Sequence, residues 1–220
     1  MTDNLRSGYH EALWRGVPEG ASPPGIELRR AFLLQHLGVL TPSAEQGVPL
    51  RVLDVGCGEG QLTAAIVEAG CAVLGIDLAE EPLRRARERH PELELLRVED
   101  DRPWPIADAS FDVVWAGETI EHVLDTTGWL SEVRRVLRSG GSLLLSTPAH
   151  GPLTRLSFAL SPARFERHFD PRADHLRFYT ARTLRRLLTD FRFEQVETSQ
   201  AGGLPGARGT LFAAALRARF

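Results

Sequence analysis

The stretch Val52-Leu53-Asp54-Val55-Gly56-Cys57-Gly58-Glu59-Gly60-Gln61-Leu62 decides the fold. Leu50 to Val55 is a short apolar run that stops at glycines, the pattern of a strand buried on both faces of a parallel sheet. Gln61 to Ala69 reads as a helix stopped by Gly70. Between them, Gly56, Gly58 and Gly60 let the chain turn sharply and let a ligand lie against the backbone, where any Cβ would collide. The helix that follows offers free N–H groups to such a ligand.

The same alternation continues on both sides. Downstream, Ala72 to Ile76 reads as a second strand and Glu80 to Arg89 as a helix, stopped before Pro91. Leu93 to Val98 and Phe111 to Trp115 are a third and a fourth strand. Gly128 to Leu137 is a helix ended by Gly140–Gly141, and Ser142 to Ser146 a fifth strand. Upstream, a helix from Pro24 or Gly25 to Leu40 carries Leu28, Phe32, Leu33, Leu37 and Leu40 at helical spacing. Residues 1–40 are thus expected to form an N-terminal helical cap, and 41–49 a linker. Residues 148–179 are rich in Arg, His, Phe and Pro and have no clear period, so they read as an insertion forming a lid over the active site. A helix from Thr180 to Asp190 follows. Two strands close the chain, about 193–198 and 210–216, joined by a turn-rich loop at 202–206 and therefore antiparallel. The expectation is one α/β domain over residues 1–220. It is a Rossmann-like, doubly wound, seven-stranded mixed sheet, mostly parallel with an antiparallel C-terminal strand and helices on both faces.

Composition narrows the class. The 220 residues are 43% hydrophobic and 25% charged, which excludes general disorder. The formal net charge is −3, and all 26 basic residues other than histidine are arginines. A non-specific coat for nucleic acid or membrane would be basic, so neither partner is expected. Cys57 and Cys71 cannot make a disulfide framework. No signal peptide and no long apolar run are visible, so a soluble, cytoplasmic protein is expected. The chain leaves the oligomeric state unread.

The ligand follows from the carboxylates around the glycines. Asp77 ends the next strand, where an acidic residue can take both hydroxyls of an adenosine ribose. NAD is disfavoured on two counts: Gln61 stands where a third dinucleotide-motif glycine would fall, and Asp54, just before the loop, would repel a pyrophosphate. Asp54 suits a ligand with a cationic end. A Walker loop is excluded because the chain has no lysine.

At this point the sequence resembles the class I S-adenosylmethionine-dependent methyltransferases, in the branch of the ubiquinone-biosynthesis O-methyltransferases. The resemblance rests on Val52 to Leu62, Gly75-Ile76-Asp77-Leu78, Asp108 to Val114, Glu118 to Val123 and Leu137 to Leu143. It implies S-adenosyl-L-methionine as cofactor and residue roles at the matching positions. Gly56, Gly58 and Gly60 would line its methionine part. Asp54 would sit near its ammonium group or orient the loop. Asp77 would bind the ribose diol, Leu78 would pack on adenine, and Asp100 would take the adenine amino group with Asp101 beside it. Cys57 and Gly117 complete the expected cofactor contacts.

Methyl transfer from a sulfonium needs chiefly alignment, and a hydroxyl acceptor also needs its proton removed. Glu118-Thr119-Ile120-Glu121-His122 follows the fourth strand directly. If helical, Glu118, Glu121 and His122 share one face. Two alternatives stand for this candidate catalytic cluster. His122 can act as general base, or the three can hold a divalent metal that polarises a hydroxyl. The resembling small-RNA 2′-O-methyltransferases hold a metal with such a motif plus a distant histidine, for which His175 and His150 are candidates here. The working expectation is no metal. Tyr9, His150, His175 and Tyr179 are the candidate acceptor contacts. The expected activity is methyl transfer to a small-molecule acceptor, at a hydroxyl oxygen. The rivals are a metal-assisted RNA 2′-O-methyltransferase and a non-catalytic cofactor-binding subunit.

Overall fold

The computed structural model describes residues 5–40, 47–99, 103–203 and 209–219. Fifteen elements follow in chain order: α1 (Leu5–Gly16), α2 (Ile26–Leu40), β1 (Arg51–Val55), α3 (Gln61–Glu68), β2 (Ala72–Asp77), α4 (Glu80–Arg89), β3 (Glu94–Arg97) and β4 (Phe111–Gly117). After these come α5 (Thr126–Val136), β5 (Leu137–Pro148), α6 (Pro152–Leu160), α7 (Pro162–His168), α8 (Ala181–Asp190), β6 (Phe193–Ala201) and β7 (Thr210–Arg217). The seven strands form one sheet in the order β3-β2-β1-β4-β5-β7-β6. β1 to β5 pair in parallel, and β7 runs against both β5 and β6. The architecture is the expected doubly wound one.

The sheet is covered on both faces because its strands are apolar at successive positions. In β4, Val114 and Ala116 point into the cluster shared with α5 and α8, through Leu130, Val133, Leu184 and Leu188. Their neighbours Val113 and Trp115 point into the opposite cluster with Leu33 and Leu37 of α2 and Ile66 of α3. This alternation is the period-two geometry of a strand, with apolar contacts on both faces. The chain runs outward from β1 to β3, then returns to β4 on the other side of β1. That reversal leaves a crevice beyond the carboxyl ends of β1 and β4, where ligands bind in open α/β sheets.

Several boundaries differ from the sequence reading. α1 falls within the expected helical cap, ahead of the one helix that the spacing marks there. Gly140–Gly141 does not end a helix: α5 stops at Val136, and the two glycines form an irregularity inside β5, with Gly140 at φ 73°. The insertion without a visible period contains two helices, α6 and α7. The stretch from Glu118 to His122 is not helical. β4 extends to Gly117, Glu118 takes a left-handed φ of 53°, and the chain continues as a turn closed by His122 N donating to Thr119 O.

Candidate active site

The glycine loop forms one wall of the crevice. Gly56, Gly58 and Gly60 all have positive φ, at 74°, 54° and 77°. All three are also crowded: a Cβ on Gly56 would stand 2.6 Å from Thr119 Oγ1, one on Gly58 3.1 Å from the Trp14 ring, and one on Gly60 2.9 Å from Leu93 Cδ1. The loop is tied to β2 by Gly56 N and Cys57 N, which donate to Ile76 O at 2.8 and 3.1 Å. Asp77 holds it further, with Oδ2 accepting from Gly58 N and Oδ1 from Ala79 N, both at 3.0 Å. Thr119 Oγ1 donates to Val55 O, fastening the turn after β4 to the end of β1.

Two acids lie under this loop. Asp54 is 1% exposed, and its Oδ2 accepts from Thr63 Oγ1 at 2.6 Å. Burial pushes its carboxyl up to about 7, with the Asp77 charge adding to the effect. Asp77 is likewise raised by burial, against the pull of its backbone donors. Burial also pushes the Cys57 thiol up, which leaves it a neutral wall and no nucleophile. Leu78 is half-buried against the main apolar cluster, and Gly117 is confined by the Trp115 ring. Asp100 and Asp101 lie outside the described residues.

α1 covers the loop. The Trp14 ring sits against Gly58, and Glu11 Oε2 accepts from Glu80 N and Glu81 N at the start of α4. Arg85 of α4 donates to Val17 O, Trp14 O and the buried Glu59. At its other end α1 reaches the acceptor side: Tyr9 OH donates to Arg172 O at 3.3 Å, and the His10 ring lies 6.5 Å from that of His122.

The turn after β4 does not present its three groups together. Glu118 is drawn aside, accepting from Ser146 Oγ at 2.9 Å and facing Arg29 Nη1 of α2 at 3.9 Å. Its left-handed backbone separates its direction from that of the next residues, as no helix would. Glu121 and His122 instead meet His175 of the insertion. One ligand atom from each lies within 4.8 Å of the others. The meeting is fixed by backbone bonds, since Leu176 N and Arg177 N both donate to Glu121 O, at 2.8 and 3.0 Å. Asp174 O is 3.0 Å from His122 Nδ1, and an Asp174 carboxylate oxygen is 3.6 Å from it. Glu121 is fully buried and neither of its carboxylate oxygens has a hydrogen-bond partner. Burial, and next the Glu118 charge, push its carboxyl up to about 8.

The other acceptor candidates separate. Tyr9 is 43% exposed at the mouth, and His175 lies edge-on to His122 with ring centroids 4.8 Å apart. Tyr179 is 7% exposed within the main apolar cluster, where burial pushes its phenol up to about 12. His150 is also buried: Nε2 contacts His168 Nε2 at 2.9 Å and Nδ1 faces Tyr179 O. Tyr179 points into the sheet's apolar cluster and His150 packs on His168 and Phe178 of the insertion, so the structure does not gather them with His122.

Comparison with known proteins agrees with this architecture. Residues 53–145 match the family of methyltransferase domains. A "probable S-adenosylmethionine-dependent methyltransferase" of Mycolicibacterium smegmatis is 34% identical over 175 residues, 80% of this chain and 64% of that one. The mitochondrial ubiquinone biosynthesis O-methyltransferase of Homo sapiens is 33% identical over 149 residues, 61% of this chain and 38% of that one. The chain therefore spans under two thirds of the length of these relatives. The crystal structure of an S-adenosylmethionine-dependent methyltransferase from Mesorhizobium loti superposes with a TM-score of 0.61 at 21% identity, over 82% of this chain and 96% of that one, and shares the fold. With the loop, the switch-point crevice and the sheet order in place, residues 53–145 carry the methyltransferase domain that this chain shares with these S-adenosylmethionine-dependent methyltransferases.

Proposed function

We propose that the protein transfers a methyl group from S-adenosylmethionine to a hydroxyl oxygen of a small molecule, with His122 as general base. The residues present fit the cofactor. A glycine-walled loop meets the Asp77 carboxylate at the end of β2, and Asp54 is a buried acid whose ionised form gains from a nearby cation. When bound, the cofactor supplies an activated methyl on a sulfonium, so the chain's own work is to orient the acceptor and remove its proton.

The observation that carries the reading is the anchoring of His122. Its Nδ1 lies 3.0 Å from the Asp174 carbonyl oxygen, which can only accept. Nδ1 therefore keeps the hydrogen, and Nε2 keeps the lone pair. Nε2 would take the proton that the acceptor hydroxyl gives up as its oxygen gains the methyl and the methyl's bond to sulfur breaks, with the Asp174 carboxylate 3.6 Å from Nδ1 on the other side of the ring. The O-methyltransferase name of the human relative supports an oxygen acceptor.

A second reading rests on Glu121. A buried carboxylate with both oxygens unpartnered, grouped with two imidazoles, is a donor set that suits a divalent metal. Glu121, His122 and His175 would hold the ion, which would supply Lewis-acid polarisation of the acceptor oxygen.

One set of measurements separates the readings. With His122 as base, His122→Ala lowers kcat by about 10²–10⁴-fold while S-adenosylhomocysteine affinity stays unchanged. A chelator then leaves activity intact. Loss of activity on chelation, with Mg²⁺, Mn²⁺ or Zn²⁺ raising the thermal midpoint of the wild type but not of His175→Ala, selects the metal. Full turnover by His122→Ala overturns both.

A further inference from the structure

One buried acid of the glycine loop has no part in the cofactor contacts described above. Glu59, between Gly58 and Gly60, is 4% exposed. Its Oε1 accepts from Arg85 Nη1 at 3.0 Å, and its Oε2 from Arg89 Nη1 at 2.7 Å and from Gly20 N at 2.9 Å. Burial acts to raise this carboxyl, but the bonds from Arg89, Arg85 and Gly20 outweigh it and hold the group below its ordinary value. A buried carboxylate with such donors is a fixed point of the structure, because removing its charge leaves two guanidinium groups short of an acceptor.

The same two arginines hold the chain at and beyond the end of α1. Arg85, itself buried, donates to Val17 O at 2.9 Å and to Trp14 O at 3.2 Å, and Arg89 Nη2 lies 3.6 Å from Glu19. Gly20 permits the close approach: its φ is 73°, and a Cβ there would stand 3.4 Å from Arg89 Nη2. Gln61, just past the loop, donates to Ala21 O at 3.3 Å. Glu59 is thus the point where the glycine loop, α4 and the end of α1 are joined. From that joint α1 crosses the crevice. Trp14 lies on the loop side, against Gly58, and His10 on the other side, toward His122. Each turnover must exchange spent cofactor for fresh, and an element across the crevice governs that exchange. We propose that Glu59 is a positioning residue: through Arg85 and Arg89 it holds Trp14 over Gly58, and release of this clamp sets the rate at which cofactor enters and leaves. The inference rests on the cofactor assignment and needs neither the acceptor nor the base.

The test is the rate at which tritiated S-adenosylhomocysteine leaves the full chain when chased with excess unlabelled ligand. Glu59→Gln keeps the side chain's size and one acceptor oxygen but removes its charge. It should release the ligand about tenfold faster, equivalent to about 1.4 kcal/mol. Amide exchange should quicken over residues 9–21 and stay unchanged in β4 and β5. A double-mutant cycle separates positioning from mere stabilisation. In a Trp14→Ala background, Glu59→Gln should still lower the urea midpoint but add nothing to the release rate, because the ring it positions is gone. Arg89→Gln alters a side chain that is one third exposed, so it decides the matter if Glu59→Gln does not fold, and it should hasten release in the same direction. Release at the wild-type rate from the folded variant, or an equal acceleration in the Trp14→Ala background, overturns the proposal. A wild-type protein that binds no S-adenosylhomocysteine would instead remove the cofactor assignment, and the clamp with it, so the two failures are told apart.

Discussion

Replacing Asp54 by asparagine should stabilise the protein, and more so as pH rises. Asp54, the residue before the last of β1, is 1% exposed, and the Thr63 hydroxyl is the partner of its Oδ2. Burial raises its carboxyl from 3.8 to about 7. That difference corresponds to about 4 kcal/mol once the group is fully ionised in both states. The sign follows from proton counting. Between about pH 4 and pH 7 the native protein holds a proton that the unfolded chain has released, so stability falls as pH rises across that window. Asparagine cannot ionise, yet its carbonyl can still accept from Thr63. The two proteins should unfold at similar urea concentrations near pH 4, and Asp54→Asn should gain up to about 4 kcal/mol by pH 8. The measurement is urea unfolding of both proteins across this range, read as the difference between them, which cancels the other titrating groups. Parallel curves, or an asparagine variant less stable near pH 8, would show that burial does not set the ionisation of Asp54. Cofactor affinity should move the other way. If the buried carboxylate serves a cationic ligand, Asp54→Asn binds S-adenosylhomocysteine more weakly near pH 8 while being the more stable protein, a trade of stability for function.

Two further outcomes test the walls of the crevice. A Cβ on Gly117 would stand 2.8 Å from Cζ2 of the buried Trp115, so Gly117→Ala should lower stability by about 1–3 kcal/mol, the range for overpacking a core. Thermal or urea unfolding reads this directly, and an unchanged midpoint would mean the Trp115 ring can step aside. Trp14→Ala removes the ring that α1 lays over Gly58. Amide exchange across α1 should quicken and S-adenosylhomocysteine should bind more weakly, whereas unchanged exchange would mean that Arg85 and Glu11 alone hold the cap.

Much of the fold was legible in the chain because its signals are local. A glycine loop between an apolar strand and a helix, followed by strand and helix in alternation, admits few packings once crossovers must be right-handed. The glycines, Asp54 and Asp77 stand on that repeating unit, so their place at one crevice follows from the order of elements. The insertion was legible only as an absence of period. α6 escapes a periodicity reading because Leu153, Leu156 and Leu160 on its outward side and Phe158 on its inward side make both faces apolar, so no single stripe stands out. The segment from Glu118 to His122 misled for a related reason: spacing cannot reveal a left-handed residue, and Glu118 at φ 53° turns its carboxylate from Glu121 towards Ser146 and Arg29.

The sequence by itself determined the sheet, its helices on both faces and the position of the nucleotide-type loop, since each depends on residues within a few positions of one another. Only the tertiary structure decided which groups meet at the acceptor side. His122 meets Asp174 and His175 because two backbone bonds to Glu121 O pull the end of the insertion onto the turn after β4. Arg29 reaches Glu118 because α2 packs over β4. Trp14 reaches Gly58 because buried Arg85 and Glu59 fasten the end of α1 to α4. Each of these contacts joins residues far apart in the chain, whose encounter is set by how helices and loops pack on the sheet, and local pattern carries no information about that packing.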